Sequence, residues 1–380
     1  MAPRKLTKDE VKTWIEISRS AARRNYQTFR KLLEPNTRLF AVVKSNAYGH
    51  GLLLFSKLVD QLGVDGFCVD ALIEGLKLRH EGIKKPILVL GPTLPQLLRD
   101  AAEGNITVSI SNFESLKAFL ALKNPPQFHI KVDTGMHRQG FYPEDIPKVT
   151  KTLRTSRIQH PSSFTGVYTH FASAKDINYP TYTEQQFAEF QKVIALLERA
   201  GFKNLMRHAA ATGGTLVNKK YHLDAVRIGI GLYGLPPSRE LAVQLTNAHL
   251  TPVMAWKTLV SEVKTIKAGE YIGYDLTERM PRAGKIAVLP VGYWHGYPRA
   301  LSGVGQVLIQ GKRAKVLGRV SMDLLVVDAT GIAVKGGDHA VLIGKDHGEE
   351  MRATEVAERH AASHYELVTR LNPLIHRGLV

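Results

Sequence analysis

The residues best suited to chemistry sit just past the ends of short apolar runs. In "AVVKSNAYGHG" (Ala41 to Gly51) an apolar stretch ends in Lys44 and breaks into turn-forming residues, with Tyr48 among them. Desolvating a lysine is costly unless it has a task, and a neutral lysine amine forms imines with carbonyl compounds. Lys131, Asp133 and Arg138 follow a second run, His170 a third, Thr212-Gly213-Gly214 a fourth, and Arg227 with Gly229 a fifth. Small residues with exposed backbone N–H groups suit a phosphate. Combined with an imine-forming lysine, they point to a phosphorylated aldehyde, pyridoxal 5′-phosphate.

Positioning these groups at one mouth requires a particular scaffold. Eight apolar runs alternate with amphipathic segments such as "YTEQQFAEFQKVIALLERAG", which spaces its apolar residues at three and four and ends in glycine. The pattern predicts an α/β architecture: an N-terminal (β/α)8 TIM-like barrel, with catalytic groups at the C-terminal ends of its strands. Beyond Leu245 the rhythm changes to closely spaced strands with glycine turns, which predicts a mostly β C-terminal domain. The expected division is a cofactor-binding barrel over 13–245 and a β domain over 246–380, joined by the N-terminal strand 1–12; "VKTWIEIS" near the N-terminus reads as a strand that joins the β domain.

Bulk properties narrow the function. The chain has 380 residues, 44% hydrophobic and 22% charged, which is ordinary globular composition. Its formal net charge is +17, but no block of like charges or nucleic-acid-binding motif accompanies it. A solvated basic surface is the expectation, with no specific nucleic-acid partner. Cys68 is the sole cysteine, which excludes an intramolecular disulfide and a multi-cysteine metal cluster, and no metal is expected. No leader-like segment and no run of 18 apolar residues occurs, so a soluble cytoplasmic protein without a membrane partner is expected.

Six segments, "AVVKSNAYGHG", "KVDTGMHRQG", "GVYTHFASAKD", "VRIGIGLYG", "IGYDLT" and "GRVSMD", resemble the motifs of the alanine racemases in order and approximate spacing. The similarity runs from about Trp14 to Leu371. It implies a pyridoxal phosphate-dependent isomerase that interconverts L- and D-alanine and supplies D-alanine for peptidoglycan. By the same resemblance Lys44 carries the cofactor and serves as one catalytic base, and Tyr274 is the other, supplied by the partner subunit of a head-to-tail homodimer. Two opposed bases suit racemisation, which removes a proton from one face of Cα and returns one to the other. His170 is implied to hydrogen-bond Tyr274, with Arg227 behind it facing the pyridine nitrogen. Because guanidinium only donates, that nitrogen stays unprotonated and the cofactor is a weaker electron sink, which favours proton return over side reactions. The resemblance also places Arg138 and Met322 at the substrate carboxylate, and Tyr48, Thr212, Gly229 and Ile230 at the phosphate. Asp323 matches a supporting carboxylate, and Lys131 a lysine often carbamylated in the family.

Some positions depart from that pattern. Trp294-His295 replaces a common Ala-Asp, Ala211 a frequent asparagine, and Pro373 falls where some members carry a phosphate-contacting tyrosine. A serine or broad-specificity racemase is therefore the alternative. Decarboxylases of the same architecture carry glutamate at the site of Arg227 and a late catalytic cysteine; neither is present.

Overall fold

The computed structural model describes residues 10–155, 163–244 and 248–380. Two compact units divide the chain: Ser20–Ser45 with Phe55–Thr251, and Met1–Arg19 with Asn46–Leu54 and Pro252–Val380.

Strand β1 (Thr13–Ile17) belongs to the second unit. The first is built on β2 (Arg38–Val42), β3 (Gly66–Val69), β4 (Ile87–Val89), β5 (Val108–Ile110), β6 (Phe128–Lys131), β7 (Phe164–Tyr168), β8 (Met206–Ala211) and β9 (Ala225–Ile228). They form one sheet in the order β4-β3-β2-β9-β8-β7-β6-β5, every pairing parallel. The first barrel strand thus lies beside the last, and a parallel Leu88–Thr107 bridge joins the two ends of the sheet. This is the predicted eight-stranded barrel. β3, β4, β6 and β9 are buried at every position. That is why these strands read as continuous apolar runs: helices cover one face and the barrel core the other. Helix Thr181–Arg199 buries Phe190, Val193, Ile194 and Leu197, the inner stripe of its three-four spacing.

The second unit is mostly β. Its main sheet contains β1, β10 (Met254–Leu259), β11 (Glu262–Ile266), β14 (Gly284–Leu289), β15 (Gln306–Ile309), β16 (Lys312–Leu317), β17 (Leu325–Asp328), β18 (His339–Asp346) and β20 (His376–Leu379), with β19 (Glu349–Met351) on β18. A separate pair, β12 (Tyr271–Ile272) and β13 (Glu278–Arg279), forms a short antiparallel hairpin. The N-terminal strand requires a correction. It is Thr13–Ile17, antiparallel to β10 and parallel to β20, rather than part of 1–12. Trp14, Ile15 and Ile17 are buried there, so residue 13 opens the β unit and not the barrel. Residues 1–9 and the expected junction at 245–246 lie outside the described residues. Among the described residues no helix is long and apolar enough to cross a membrane.

Candidate active site

Lys44 lies just beyond the C-terminal end of β2, with its Nζ 3.2 Å from Asp70 Oδ1 past the end of β3. The residues after it explain the odd sequence. Ser45, Asn46, Ala47 and Tyr48 form a left-handed turn with φ of 54°, 57°, 52° and 51°. Each L-residue held there costs roughly 1–2 kcal/mol. Several bonds fix the turn: Ser45 N donates to Glu74 Oε1 (2.7 Å), Gly51 N to Asn46 O (2.9 Å), and Leu52 N to Asn46 Oδ1 (2.8 Å). Gly49, at φ 81°, is obligatory because a Cβ there would lie 1.8 Å from Val368 O.

Lys131 closes β6 and is only 6% exposed. Its Nζ donates to Gln139 Oε1 (2.9 Å), and Gln139 Nε2 donates to Ser111 Oγ (3.3 Å). Burial, reinforced by the cations Arg138, Arg227 and Lys44 against the attraction of Asp133, lowers the ammonium pKa to about 8. Asp133 organises the following loop. Its carboxylate accepts backbone N–H bonds from Gly135, Met136, His137 and Arg138 at 2.8–3.0 Å. Burial alone would raise its pKa, but these four donors prevail and hold it below the usual carboxylate range. The Arg138 backbone is thereby fixed.

Arg227 on β9 is 3% exposed and, among the described residues, has no carboxylate partner in its hydrogen bonds. Its guanidinium donates to Thr169 O (2.8 Å), Ala209 O (2.9 Å), His208 Nδ1 (2.6 Å) and His170 Nδ1 (3.3 Å). The Tyr168 ring presents a π face 5.1 Å away. Burial, then the nearby cations led by Arg227, lowers the His170 pKa to about 3, so the ring is neutral. With Nδ1 receiving the guanidinium, the His170 proton resides on Nε2. The structure thus joins His170 to Arg227. It adds His208, Tyr168 and His129, which sequence reading passed over. Their signal was the period of two within strands: His129 shares a face of β6 with Lys131, and inward polar residues in an apolar barrel call for explanation.

Thr212 and Gly229 also meet in the barrel unit. The amides of Gly229 and Gly231 converge on one oxygen, Thr212 Oγ1, at 3.2 and 3.4 Å, and buried Ile230 lies between them. Two amides gathered around one hydroxyl form a donor set of the kind that fits a phosphate. Together with Lys44 as the amine, these residues fit pyridoxal phosphate.

The remaining candidates belong to the β unit. Tyr48 goes with it through the segment Asn46–Leu54, its ring centroid 6.3 Å from that of Tyr365. Tyr274 follows Gly273 at the tip of the β12–β13 hairpin and is 68% exposed. Met322 O accepts from Trp294 N (3.0 Å), while the Met322 side chain is exposed. Asp323 lies close enough to His295 to oppose the fall in its pKa that burial produces. Asn372 ties the chain tail to the same corner: its N donates to His295 O (3.2 Å) and its Nδ2 to Trp294 O (3.0 Å), which sets Pro373 beside the Trp294 turn.

Comparison with known proteins bears on this arrangement. Residues 17–237 match the family model for the alanine racemase N-terminal domain, and 253–379 that for the C-terminal domain. The chain is 39% identical to an alanine racemase of Desulforamulus reducens, covering 93% of this chain and 95% of that one. The crystal structure of alanine racemase from Bacillus anthracis with bound L-Ala-P superposes with a TM-score of 0.92 at 32% identity, covering 99% and 96% of the two chains. A histidine racemase from Leuconostoc mesenteroides superposes at 0.85 with 29% identity, covering 97% and 98%. With both domain models matched in order and relatives aligned almost end to end, the chain belongs to the alanine racemase family.

Proposed function

We propose that this chain interconverts L- and D-alanine with pyridoxal 5′-phosphate by a two-base mechanism, supplying D-alanine for peptidoglycan. Lys44 would hold the cofactor, with Thr212, Gly229, Ile230 and Tyr48 at its phosphate. When bound, the cofactor draws electrons from the substrate and acidifies its α-proton. Lys44 Nζ moves a proton on one face and Tyr274 Oη, contributed by the partner of a head-to-tail homodimer, on the other. A phenol is a weak base near neutrality. A neutral His170 with its proton on Nε2 supports this step as a hydrogen-bond donor to the phenolate. Arg138 and the Met322 backbone bind the substrate carboxylate, with Asp323 as a supporting group. The depressed Lys131 pKa makes its amine available for carbamylation, which would place an anion beside Arg138.

The single observation that carries the reading is the buried, carboxylate-free environment of Arg227. A guanidinium with only neutral partners keeps its positive charge and can only donate, as suits an enzyme that must return the proton. Chiral analysis of alanine, serine and lysine after incubation with the purified protein tests it. D-alanine formed from L-alanine is expected, and no inversion of alanine in the presence of pyridoxal phosphate would overturn it. A broader or serine-accepting racemase is the second reading. Trp294 and Pro373, set side by side, support it, as does the histidine racemase of the same fold.

A further inference from the structure

Arg227 can only donate, so His208 Nδ1, 2.6 Å from its terminal nitrogen, must be bare. His208 then carries its proton on Nε2 and gives it to His129 Nδ1, 2.9 Å away. His129 Nδ1 is bare in turn, and its own proton sits on Nε2. Only one tautomer of each ring completes this chain, because any additional proton would set two donors face to face. Both imidazoles are buried. Burial, with Arg227 adding to it, keeps both neutral: it lowers His129 to about 3 and His208 well below its ordinary value. Tyr168 stacks flat on His208, centroids 4.8 Å apart at 4°, which fixes the ring plane but not its rotation within that plane. The bond to His129 fixes the rotation.

We propose that His129 is a positioning residue for Arg227: by accepting the Nε2 proton of His208, it holds that imidazole in the one orientation whose Nδ1 receives the guanidinium. The effect crosses the barrel. His129 lines a cavity of about 670 Å³ at the N-terminal mouth, the end opposite Lys44. Gly166 on β7 makes room for the ring, since a Cβ there would lie 2.6 Å from His129 Nε2. The consequence for catalysis rests on the electronic role given above to Arg227, whereas the orientation of His208 does not.

Nitrogen-15 NMR of the histidines in the intact purified protein, paired with kinetics, tests this. The wild type should show His208 with its proton on Nε2 and a hydrogen-bonded, bare Nδ1. His129→Leu leaves the Nε2–H without an acceptor. The His208 Nδ1 signal should shift as its bond to Arg227 is lost, and kcat should fall about tenfold while transamination rises. His129→Asn, which keeps an acceptor oxygen near the Nδ1 position, should restore both readouts. Gly166→Ala, which crowds the His129 ring while leaving both histidines in place, should reproduce His129→Leu and carries the test if the leucine variant does not fold. Unchanged His208 signals in His129→Leu or in Gly166→Ala would overturn the proposal. Shifted signals with unchanged partitioning would uphold the positioning of His208 and instead remove the electronic role of Arg227.

Discussion

Arg227 and Tyr274, both central to the proposed chemistry, are treated in opposite ways by the fold. Arg227 is 3% exposed and satisfied by two carbonyls, two imidazoles and an aromatic face, all from barrel strands or the residues next to them. Tyr274 is 68% exposed on a hairpin tip where Gly273, Asp275 and Leu276 all have φ between 52° and 73°. The tip is held by an Asp275–Arg319 ion pair at 2.6 Å. A buried charge must be satisfied by the chain that buries it, because an unpaired one would prevent folding. An exposed phenol on a strained tip has the form of a group presented to a second molecule. In the proposed chemistry one part would thus be prebuilt within a single chain, and another offered to a second.

The sharpest test of that contrast is complementation. Lys44→Ala and Tyr274→Phe homodimers should each lose about a thousandfold or more in kcat. Mixed equally under exchange, they should recover up to about a quarter of wild-type activity, since half the dimers then contain one site with both residues. No recovery despite demonstrated exchange would place both residues in the same chain's site and erase the distinction.

Arg227→Glu probes the prebuilt part. The new carboxylate would face Thr169 O and Ala209 O, both acceptors, so a stability loss on the order of 3 kcal/mol is expected. Racemisation should fall about a hundredfold, and transamination should rise because a carboxylate can accept a proton shared with the pyridine nitrogen. Chemical denaturation together with product analysis measures both. Loss of rate without a change in partitioning would reduce Arg227 to a structural role.

Lys131 offers a milder test through pH. Its ammonium titrates near pH 8 when folded, against an ordinary 10.5. Between these values the unfolded chain binds more protons than the folded one, so stability rises with pH across that window. Relative to Lys131→Met in buffer free of carbon dioxide, the gain should approach about 3 kcal/mol at most. A flat difference would show that the lysine does not titrate there, as a carbamylated one would not.

Sequence alone foretold the barrel because fully buried parallel strands leave continuous apolar runs, even one as short as Val108–Ile110. The positions of Lys44, Lys131 and Arg227 were legible as polar residues interrupting those runs. The support around them was not. His208 and Tyr168 meet Arg227 across the neighbouring strands β7, β8 and β9, but the register that aligns them is set by the sheet, and a lone histidine in a strand has no local signature of its partner. The left-handed turn after Lys44 was equally hidden, since glycine marks positive φ but Ala47 and Tyr48 do not. The N-terminal strand was legible in Trp14, Ile15 and Ile17 themselves, and only the division drawn between residues 12 and 13 cut it away from the β unit.

The smallest effect concerns substrate size, where the β unit departs most from the family pattern. By the family resemblance Pro373 stands for a tyrosine, which would remove a phenol, and Trp294 for an alanine, which would add an indole; Asn372 bonds the two segments together through Trp294 O and His295 O. The indole is 56% exposed, so its ring is not committed to the core of its own unit. On the proposed function a partly compensated exchange of aromatic bulk is expected, with alanine preferred and serine turned over more slowly. An apolar pocket rejects an added hydroxyl by only about a hundredfold, so either change can shift the balance only within that range. Pro373→Tyr should lower the serine-to-alanine ratio of kcat/KM by about threefold to tenfold, and Trp294→Ala should raise it by a similar factor. The double variant should return near the wild-type ratio if the two rings occupy alternative sides of one space. Additive, uncompensated shifts would show instead that Trp294 and Pro373 act on the substrate independently, whatever their bonds through Asn372.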